Sequence, residues 1–468
     1  MQYSIVKLAK AKEKYDFRID SEYYHPKFLD LEKRLGETAT VILEDVACKV
    51  SDGTHFTPTY YDSGIPFLSA INIQENRLDL TKNFQYISPK EHSLLYRRSD
   101  PKANDILVRK VGVGPRWACV VPEGVQEFSI FVSVAQIRCQ PGKINQFFLS
   151  TFINSRYGQE QLLRFNKGIS QPDLHLEDIC RLVIPMVSDT FQRVIERICL
   201  SSRKLTNETE DLYRESERIL LFELGLLDWN PRHKLAFVGN YVDILSANRI
   251  DAEYFQPMYD ELVEKVKQYR NGHKQLGKCV KIEDKNFLPK DDVSYKYIEL
   301  ANISANGNIN GFIEAKGKEL PTRARRKVNT GDLIVSSIEG SLSCIALITD
   351  DLNNALCSTG FYVINSDRLN SETLLVLLKS PVGQLQLKKG CSGTILTAIG
   401  NNEFKNVILP DVASKTQEDI KQKVTDMYKS KALSKSLLEI AKNGVEMAIE
   451  TNEEEAQNWI NQEVKSYA

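Results

Sequence analysis

Few residues in this 468-residue chain stand in an arrangement that could carry out catalysis. Gly112-Val113-Gly114 resembles part of a phosphate-binding loop, but Pro115-Arg116 follow where a dinucleotide or methyl-donor site needs the start of a helix. The chain contains neither an Asn/Asp-Pro-Pro-aromatic stretch, with which amino-methyltransferases hold a flipped base, nor a Gly-x4-Gly-Lys-Ser/Thr loop. The sequence therefore gives no sign of methyltransferase or nucleotide-hydrolysing chemistry.

A metal-dependent site has one weak candidate, Asp292 with Glu314-Ala315-Lys316, which resembles the acidic-x-Lys pattern of metal nucleases. Such triplets arise by chance in most chains of this size, and the first half has no counterpart. The six histidines are dispersed, and none has a histidine partner four residues away for zinc. His55 fits a turn residue, a DNA contact or a catalytic base equally well. We therefore expect no catalytic residue, no metal and no cofactor.

Three polar loops have the residue types of a nucleic-acid contact surface. They are Ser51–Pro58, Lys167–Pro172 and Lys389–Thr394. Glycine lets the backbone approach a ligand, lysine contacts phosphate, and Ser, Thr or Gln side chains hydrogen-bond to base edges. For any single residue the alternative is a tight connection between strands.

Local charge favours a polyanion partner, although the formal net charge is only −1. Two basic clusters are expected at matching positions, just before and within the strands that contain Asp105 and Asp332. Their members are Arg97, Arg98, Lys102, Arg109, Lys110 and Arg116 in the first half, and Lys316, Lys318, Arg323, Arg325, Arg326 and Lys327 in the second. A single charge run is usually a solvated face, whereas a duplicated cluster is better explained by a duplicated polyanion site.

These loops and clusters belong to an internal duplication. The segments Phe17–Pro26 and Asn248–Pro257 share Arg-Ile-Asp-x-Glu-Tyr-x-x-Pro. Three further pairs follow in order, while the offset falls from 230 to 225 residues: 67–73 with 297–303, 105–108 with 332–335, and 182–185 with 407–410. Coincidence could produce one such match, but an ordered series indicates two copies of one unit.

Each copy ends in a long helix. Phe191, Ile198, Leu205, Leu212 and Ile219 recur every seven residues, which predicts a helix from Thr190 to about Leu224 with one apolar seam. Apolar residues from Thr416 to about Glu450 predict a second helix, interrupted at Lys431 and Ser434. We expect the two helices to pair; the alternative is two unrelated surface helices.

The remaining pattern is mixed. Strands are predicted at 67–73, 106–111, 118–121, 131–138, 297–303, 333–337, 344–348 and 361–364, and helices at 26–35, 145–165, 257–269 and 372–387.

No apolar run approaches the 18 residues of a membrane span, and the N-terminus lacks the apolar core of a secretory signal. The nine cysteines form no C-x-x-C pair. We expect a cytoplasmic protein with reduced thiols and no contact with membranes.

The chain resembles the specificity (S) subunits of Type I restriction–modification systems over nearly its whole length. The resemblance rests on the two divergent copies, each with its long helix, on Ser51-Asp52-Gly53-Thr54-His55 together with Gly64–Leu68, and on Gly168–Pro172, which is similar to that family's loop before the final strand. The second copy keeps the layout but lacks the Asp-Gly-Thr-His loop. Such a departure is expected of recognition domains that read different sequences.

The resemblance implies that the long helices pack antiparallel as a spacer of fixed length between two target-recognition domains related by pseudo-twofold symmetry. Each domain would read one half of a split double-stranded DNA target through the major groove. The resemblance also implies a non-catalytic subunit that binds two adenine-N6 methyltransferase subunits, which restriction subunits then join. The residue patterns lead to a similar expectation, because a rigid rod between duplicated basic domains suits two half-sites at a fixed spacing.

We therefore predict an α+β protein with a first target-recognition domain (1–186), a central spacer helix (187–225), a second recognition domain (226–412), and a C-terminal spacer helix with an acidic tail (413–468). The predicted phosphate or guanine contacts are Arg109, Lys110, Arg116, Lys167, Arg323, Arg325, Arg326 and Lys389. The predicted base-edge contacts are Thr54, His55, Ser170, Gln171, Ser392 and Thr394.

Two other classes of function remain open. A self-contained nuclease would use Asp292 and Glu314, and the purified chain alone would cleave DNA when metal is added. A helical scaffold would bind partner helices independently of salt and would have no affinity for DNA.

Overall fold

A computed structural model describes residues 4–12, 18–80, 83–166, 172–283, 285–304, 306–392 and 397–466. The chain divides into two compact units, one formed by Met1–Leu205 with Ala432–Ala468 and the other by Thr206–Lys431. Helices and short strands alternate in both units, so the predicted mixed class of helix and strand is confirmed.

The first unit packs short strands and helices around one main apolar core. Its strands are β1 (Thr40–Ile42), β2 (Ala47–Asp52), β3 (Ile65–Leu68), β4 (Ile73–Gln74), β5 (Arg77–Leu78), β6 (Gln85–Ile87), β7 (Ile106–Arg109), β8 (Ala118–Val120), β9 (Ser129–Ile130), β10 (Val134–Cys139) and β11 (Val183–Pro185). The helices that begin in it are α1 (Leu8–Lys12), α2 (Pro26–Gly36), α3 (Leu43–Val46), α4 (Pro89–Leu95), α5 (Gln146–Asn154), α6 (Arg156–Phe165), α7 (Leu176–Cys180) and the long α8 (Asp189–Glu223).

The second unit uses the same kinds of element. Its strands are β12 (His273–Gln275), β13 (Lys281–Glu283), β14 (Ser294–Ile298), β15 (Ile313–Lys316), β16 (Ala324–Lys327), β17 (Leu333–Ser336), β18 (Ile345–Leu347), β19 (Leu356–Ser358), β20 (Phe361–Asn365), β21 (Cys391–Ser392), β22 (Ala398–Ile399) and β23 (Ile408–Pro410). The later helices of the chain are α9 (Tyr241–Ala247), α10 (Pro257–Lys267), α11 (Leu276–Cys279), α12 (Ser371–Lys379), α13 (Pro381–Lys389), α14 (Asn401–Asn406), α15 (Ser414–Glu450) and α16 (Glu453–Ser466), of which α16 lies in the first unit.

Each unit contains an antiparallel four-stranded sheet. The strand order is β2-β10-β7-β8 in the first unit and β13-β20-β17-β18 in the second. The central pairings match, since Ile137 lies opposite Ile106 in the first sheet and Ile364 opposite Leu333 in the second. The second unit therefore repeats the strand order and the pairing register of the first.

The predicted helices 145–165 and 372–387 are each broken in two, at Ser155 and at Ser380. Both serines have extended backbone, and both cap the following helix with the side chain. A Cβ atom at Gly158 would overlap the carbonyl oxygen of Phe152, so glycine permits the sharp turn between α5 and α6. The prediction of one continuous helix in each copy is wrong because these caps were not recognised.

The predicted strands 67–73 and 297–303 are also shorter than expected. Each ends before a 3-10 turn, Ala70–Asn72 in one copy and Leu300–Asn302 in the other. The side-chain oxygen of Asn72 accepts the amide of Ser69 at 3.0 Å, which closes the turn. The predicted acidic tail contains helix α16, whose Ala456 and Ile460 are buried in the core of the first unit.

In each unit a stretch of α8 packs against a stretch of α15, and in the second unit the contacts show that the two run antiparallel. In the first unit the hydroxyls of Ser202 and Ser434 are 2.8 Å apart and buried, so Ser434 is a paired polar position within the seam. In the second unit Lys423 forms an ion pair with Glu215 at 2.5 Å, and Glu223 hydrogen-bonds to Thr416. Residue numbers rise along one helix as they fall along the other, which defines the antiparallel direction.

Candidate nucleic-acid interface

One edge of each four-stranded sheet gathers loops that are remote in sequence. In the first unit β2 and β7 end at the edge where β10 and β8 begin, because neighbouring strands are antiparallel. We call residues 52–56, 109–117 and 131–133 the first edge. The corresponding loops of the second sheet, residues 285–288, 336–344 and 359–360, form the second edge.

A buried ionic cluster supports the first edge. The carboxylate of Asp52 accepts a hydrogen bond from Arg98 at 2.5 Å and lies 3.3 Å from the ammonium of Lys110. Lys110 is also 3.2 Å from Asp173. Asp52 and Lys110 are both buried, and buried charges persist when they are paired in this way. The ammonium of Lys110 is therefore occupied inside the protein rather than presented to a ligand.

The predicted contact loop after β2 packs closely against the backbone of Ile130. A Cβ atom at Gly53 would overlap the backbone of Ile130, so only glycine allows this approach. Thr54 is buried, and its hydroxyl accepts the amide of Phe56 at 3.1 Å. His55 is exposed, with its Nε2 3.0 Å from the guanidinium of Arg98. The loop thus presents His55 outward while Thr54 holds its shape.

The arginines predicted at this edge also bond to backbone. Arg109 donates to the carbonyl oxygens of Ala70 and Ile73, at 3.2 and 2.8 Å. The fully buried Arg116 donates to Asn166 at 2.7 Å and to the carbonyl of Pro172 at 3.1 Å. Burial lowers the pKa of both guanidinium groups.

Asn166 and Pro172 flank the segment that contains the predicted contacts Lys167, Ser170 and Gln171, which lie outside the described residues. Within the part of the chain that the structure describes, Nε and Nη1 of Arg116 have no hydrogen-bond partner.

The second-half candidates differ in exposure. The side chain of Arg323 is 65% exposed, with its guanidinium 4.0 Å from Glu299. Arg325 is half-buried and donates through Nε to the carbonyl of Thr322 at 2.8 Å. Arg326 is also half-buried, and its Nε and Nη1 have no hydrogen-bond partner among the described residues. Arg323 is therefore the most accessible of the three arginines.

The end of α13 and the strand β21 that follows it supply one engaged cation and one exposed hydroxyl residue. Lys389 forms an ion pair with Asp260 at 2.6 Å and lies 5.2 Å from the centre of the Tyr254 ring. Ser392 is exposed, and Thr394 falls outside the described residues.

Repeated hydrogen bonds align the two edges residue by residue. The amide of Lys110 donates to the carbonyl of Ser133 at 2.9 Å. The amide of Ser337 donates to the carbonyl of Gly360 at 2.9 Å. Lys110 therefore corresponds to Ser337, and Arg109 corresponds to the serine that precedes it. The expectation that the two basic clusters occupy matching positions is wrong for these two residues, because the charge was not kept in the second copy.

The sequence reasoning missed two features of the first edge. Asp52 was not recognised as the buried partner of Arg98 and Lys110, although an Asp beside Gly53 at a strand end offered that signal. Phe56 was not singled out, yet its side chain is 83% exposed. An aromatic residue inside a polar loop could have indicated it.

The alternative nuclease pair has other contacts. Asp292 lies 3.6 Å from Lys318, and Glu314 accepts a hydrogen bond from Ser294 at 3.4 Å. Across the described residues, no group of three or more His, Cys, Asp or Glu side chains is placed to hold a metal ion. A search of the same residues finds no helix with the length and apolar character needed to cross a bilayer.

The chain is similar to a curated specificity subunit over part of its length. Over 134 residues the chain is 31% identical to the Type I restriction enzyme EcoBI specificity subunit of Escherichia coli, a match that covers 29% of this chain and 27% of that protein. The chain thus matches about a quarter of the length of this relative. The resemblance to Type I specificity subunits predicted from the sequence is confirmed by this similarity. No protein-family model matches the chain.

Two solved structures cover most of the chain at low similarity. The S subunit of a Type I restriction–modification system from M. genitalium is 11% identical, covers 88% of this chain and 95% of that chain, and has a TM-score of 0.39. The HsdS subunit from Thermoanaerobacter tengcongensis is 14% identical, covers 88% and 97%, and has a TM-score of 0.26. Scores this low bear on neither fold nor function.

Proposed function

We propose that this chain is the non-catalytic DNA sequence-recognition subunit of a Type I restriction–modification system. It reads a target of two half-sites separated by a fixed gap, and it directs adenine-N6 methyltransferase and restriction subunits to that target. The observation that carries this proposal is the pair of sheet edges, which share a backbone frame and differ in side chains, in a chain similar to a specificity subunit.

The shared frame explains how one fold reads two sequences. Backbone hydrogen bonds fix where the edge loops stand, as they do at Lys110 and Ser337. The side chains on that frame then decide which bases are accepted, since base identity is read through groups that reach the edges of the bases. Different side chains on equal frames therefore suit two different half-sites.

The long helices α8 and α15 provide the spacer in this proposal. A helix of 35 residues extends roughly 50 Å at about 1.5 Å per residue. The proposed parts are the recognition domains 1–186 and 226–412 and the spacer segments 187–225 and 413–468. The proposed partners are double-stranded DNA, two methyltransferase subunits, and restriction subunits that join them in the cytoplasm.

Exposure divides the predicted contact residues into two roles. We assign direct contact with DNA to the exposed residues His55, Arg323 and Ser392, and we add Arg98, whose side chain is half exposed beside His55. We assign support of the edge loops to the residues whose polar groups bond internally, which are Thr54, Arg109, Lys110, Arg116, Arg325 and Lys389. Arg326 and the four candidates outside the described residues, Lys167, Ser170, Gln171 and Thr394, keep their predicted contact role.

Selection from a random DNA pool tests this function. The chain, assembled with its methyltransferase subunits, is incubated with duplexes that carry a randomised region of several helical turns, and the bound fraction is sequenced. We expect two constant blocks separated by a constant gap. His55→Ala should relax one block, and Arg323→Ala should weaken binding without altering that block. Enrichment of no sequence, or of one continuous block, would contradict the proposal.

A further inference from the structure

Both edges carry large apolar side chains that the fold leaves in solvent, and on the first edge Val113 is one of them besides Phe56. Phe56 of the first edge is 83% exposed, and Leu288 of the second edge is 74% exposed. Both lie in the loop after a matching strand: Val50 of β2 pairs with Ile137 in the first sheet, and Ile282 of β13 pairs with Ile364 in the second. Phe56 and Leu288 each follow the paired residue of their own strand by six positions. Both copies therefore carry an exposed apolar residue in the loop that follows the outermost strand of the sheet.

The chain around these two residues is fixed by hydrogen bonds. The amide of Phe56 donates to the hydroxyl of Thr54 at 3.1 Å. Beside Leu288, the amide of Phe287 donates to the carbonyl of Arg325 at 2.7 Å. The amide of Lys290 donates to the hydroxyl of Tyr295 at 3.2 Å. Both apolar side chains therefore project from ordered loops, which is the arrangement that keeps the entropy cost of binding low.

Cations lie near both residues, together with acidic groups that include Asp52 on the first edge and the exposed Asp291 and Asp292 on the second. The half-exposed guanidinium of Arg98 donates to the carbonyls of Asp52 and Gly53 at the base of the Phe56 loop. On the second edge Lys285 and Lys290 are exposed near Leu288, and the ammonium of Lys327 lies 5.7 Å from the Phe287 ring centre. An apolar group among cations is poorly suited to an apolar protein groove. It suits a duplex, which offers phosphates and, in the major groove, the apolar methyl group of thymine.

We propose that Phe56 and Leu288 are specificity-determining residues that contact thymine 5-methyl groups, one in each half-site. This inference rests on the proposed function and names part of its chemistry. An adenine that is methylated at N6 pairs with a thymine, so each half-site contains at least one such methyl group. Contact with it would bury apolar surface that folding leaves exposed on both edges.

The test removes the methyl group from the DNA and the apolar side chain from the protein. The target found by selection is synthesised as a set of duplexes in which each thymine in turn is replaced by deoxyuridine, which lacks only the 5-methyl group. Affinity is measured for the chain assembled with its methyltransferase subunits. Three variants are compared with the natural chain: Phe56→Ala, Leu288→Ala, and Leu235→Ala, which removes a fully exposed leucine away from both edges.

We expect one deoxyuridine position in each half-site to weaken binding of the natural chain about fourfold, the value of one buried methyl-sized group. Phe56→Ala should weaken binding to the thymine duplex by at least as much. It should no longer respond to deoxyuridine in one half-site, while its response in the other half-site stays unchanged. Leu288→Ala should show the reverse pattern. Leu235→Ala should behave as the natural chain.

Two results would overturn the inference while the proposed function stands. In one, the natural chain binds its target specifically but responds to deoxyuridine at no position. In the other, the losses caused by Phe56→Ala and by deoxyuridine multiply as independent effects at every thymine. If the natural chain bound its target no more tightly than a scrambled duplex, that result would instead overturn the proposed function, and this inference with it.

Discussion

The first and second edges have the same backbone hydrogen bonds and different chemistry. The amide of Leu174 donates to the carbonyl of Lys110 at 3.2 Å, and the amide of Ile399 donates to the carbonyl of Ser337 at 2.8 Å. Within this frame the first edge buries charge, whereas the second uses hydroxyls. A duplicated fold can therefore keep the positions of its loops while it exchanges nearly every group that they present.

The supporting interactions differ in strength as well as in type. The ammonium of Lys110 lies between Asp52 and Asp173, whereas the hydroxyl of Ser337 donates one hydrogen bond, to the carbonyl of Gly360 at 2.9 Å. A buried ion pair loses far more on removal of one partner than a neutral hydrogen bond does. Substitutions at matching edge positions should therefore change the free energy of unfolding of the two units unequally. Substitutions in the common backbone frame should change it equally.

The largest difference is expected between Lys110→Met and Ser337→Ala. Lys110→Met leaves the buried carboxylate of Asp52 with one cation fewer and should lower the free energy of unfolding of the first unit by about 3–5 kcal/mol. Ser337→Ala should lower that of the second unit by about 1 kcal/mol. Hydrogen exchange with mass spectrometry reads the two units separately. Equal losses of protection would contradict the assignment of Lys110 as a buried support.

A frame substitution should act alike in both units. Gly158→Ala and Gly383→Ala each place a Cβ atom into the backbone of the preceding helix, at Phe152 and at Leu378. Each should cost about 1–3 kcal/mol in its own unit, because the turn must open to admit the methyl group. The same exchange experiment measures both. A difference well beyond 1 kcal/mol between them would show that the frames are not equivalent.

Acid should affect the two regions through different carboxylates. Burial raises the pKa of Asp100, but hydrogen bonds from Lys49, Arg138 and Lys102 outweigh it and hold the pKa well below its usual 3.8. The hydrogen bond from Tyr259 lowers the pKa of Glu253, in the second unit, to about 2. A carboxyl with a lowered pKa stabilises the fold at neutral pH and loses that contribution as the pH falls below its unfolded value.

Asp100→Asn should therefore cost the first unit about 1.5 kcal/mol at pH 7 and flatten its loss of stability below about pH 4. Glu253→Gln should have a smaller effect of the same kind, in the second unit alone, because solvent screens its partly exposed carboxylate. Asp20 and Asp251 occupy matching positions of the two copies, and hydrogen bonds from Arg18 and Arg249 lower the pKa of each. They serve as a control in which the two units should respond alike to acid. The account would be refuted if Asp100→Asn changed the acid response of the second unit, or if Glu253→Gln changed that of the first.

The smallest effect on stability is expected for Arg323, whose exposed side chain we assign to contact with DNA. Arg323→Ala should leave protection from exchange unchanged, since its side chain is 65% exposed. It should reduce the slope of log affinity against log salt concentration by about one, the value of one lost phosphate contact. Arg109→Ala should instead destabilise the first unit, because two carbonyls lose their donor. An unchanged salt slope for Arg323→Ala would remove it from the proposed interface.

Much of the fold could be predicted from the sequence because its signals are local or periodic. The recurrence of Phe191 and its successors every seven residues predicts α8 to within a residue, and the matched segments predict the repeat. The breaks at Ser155 and Ser380 were missed because a capping serine inside an apolar stretch leaves the helical periodicity intact. Helix α16 was read as a tail because its acidic residues outnumber the buried Ala456 and Ile460.

The candidate site could be predicted less well. Sequence shows that Lys110 and Arg116 are basic, but whether a cation faces solvent depends on Asp52, Asn166 and other residues far away in the chain. The exposed residues His55 and Arg323 were found because a polar loop and a charge cluster are local features. The exposure of Phe56 was missed because an aromatic residue ordinarily predicts core, and its place inside a polar loop was given no weight.

The most direct test of the account is a methylation map made in a host that lacks N6-methyladenine. The methyltransferase partner is expressed with and without this chain, and modified adenines are located across the genome. We predict that methylation appears only when the chain is present, at a motif of two fixed half-sites separated by a constant gap. Methylation of the same motif without the chain, or no methylation with all subunits present and assembled, would contradict the proposal that this chain selects the DNA target.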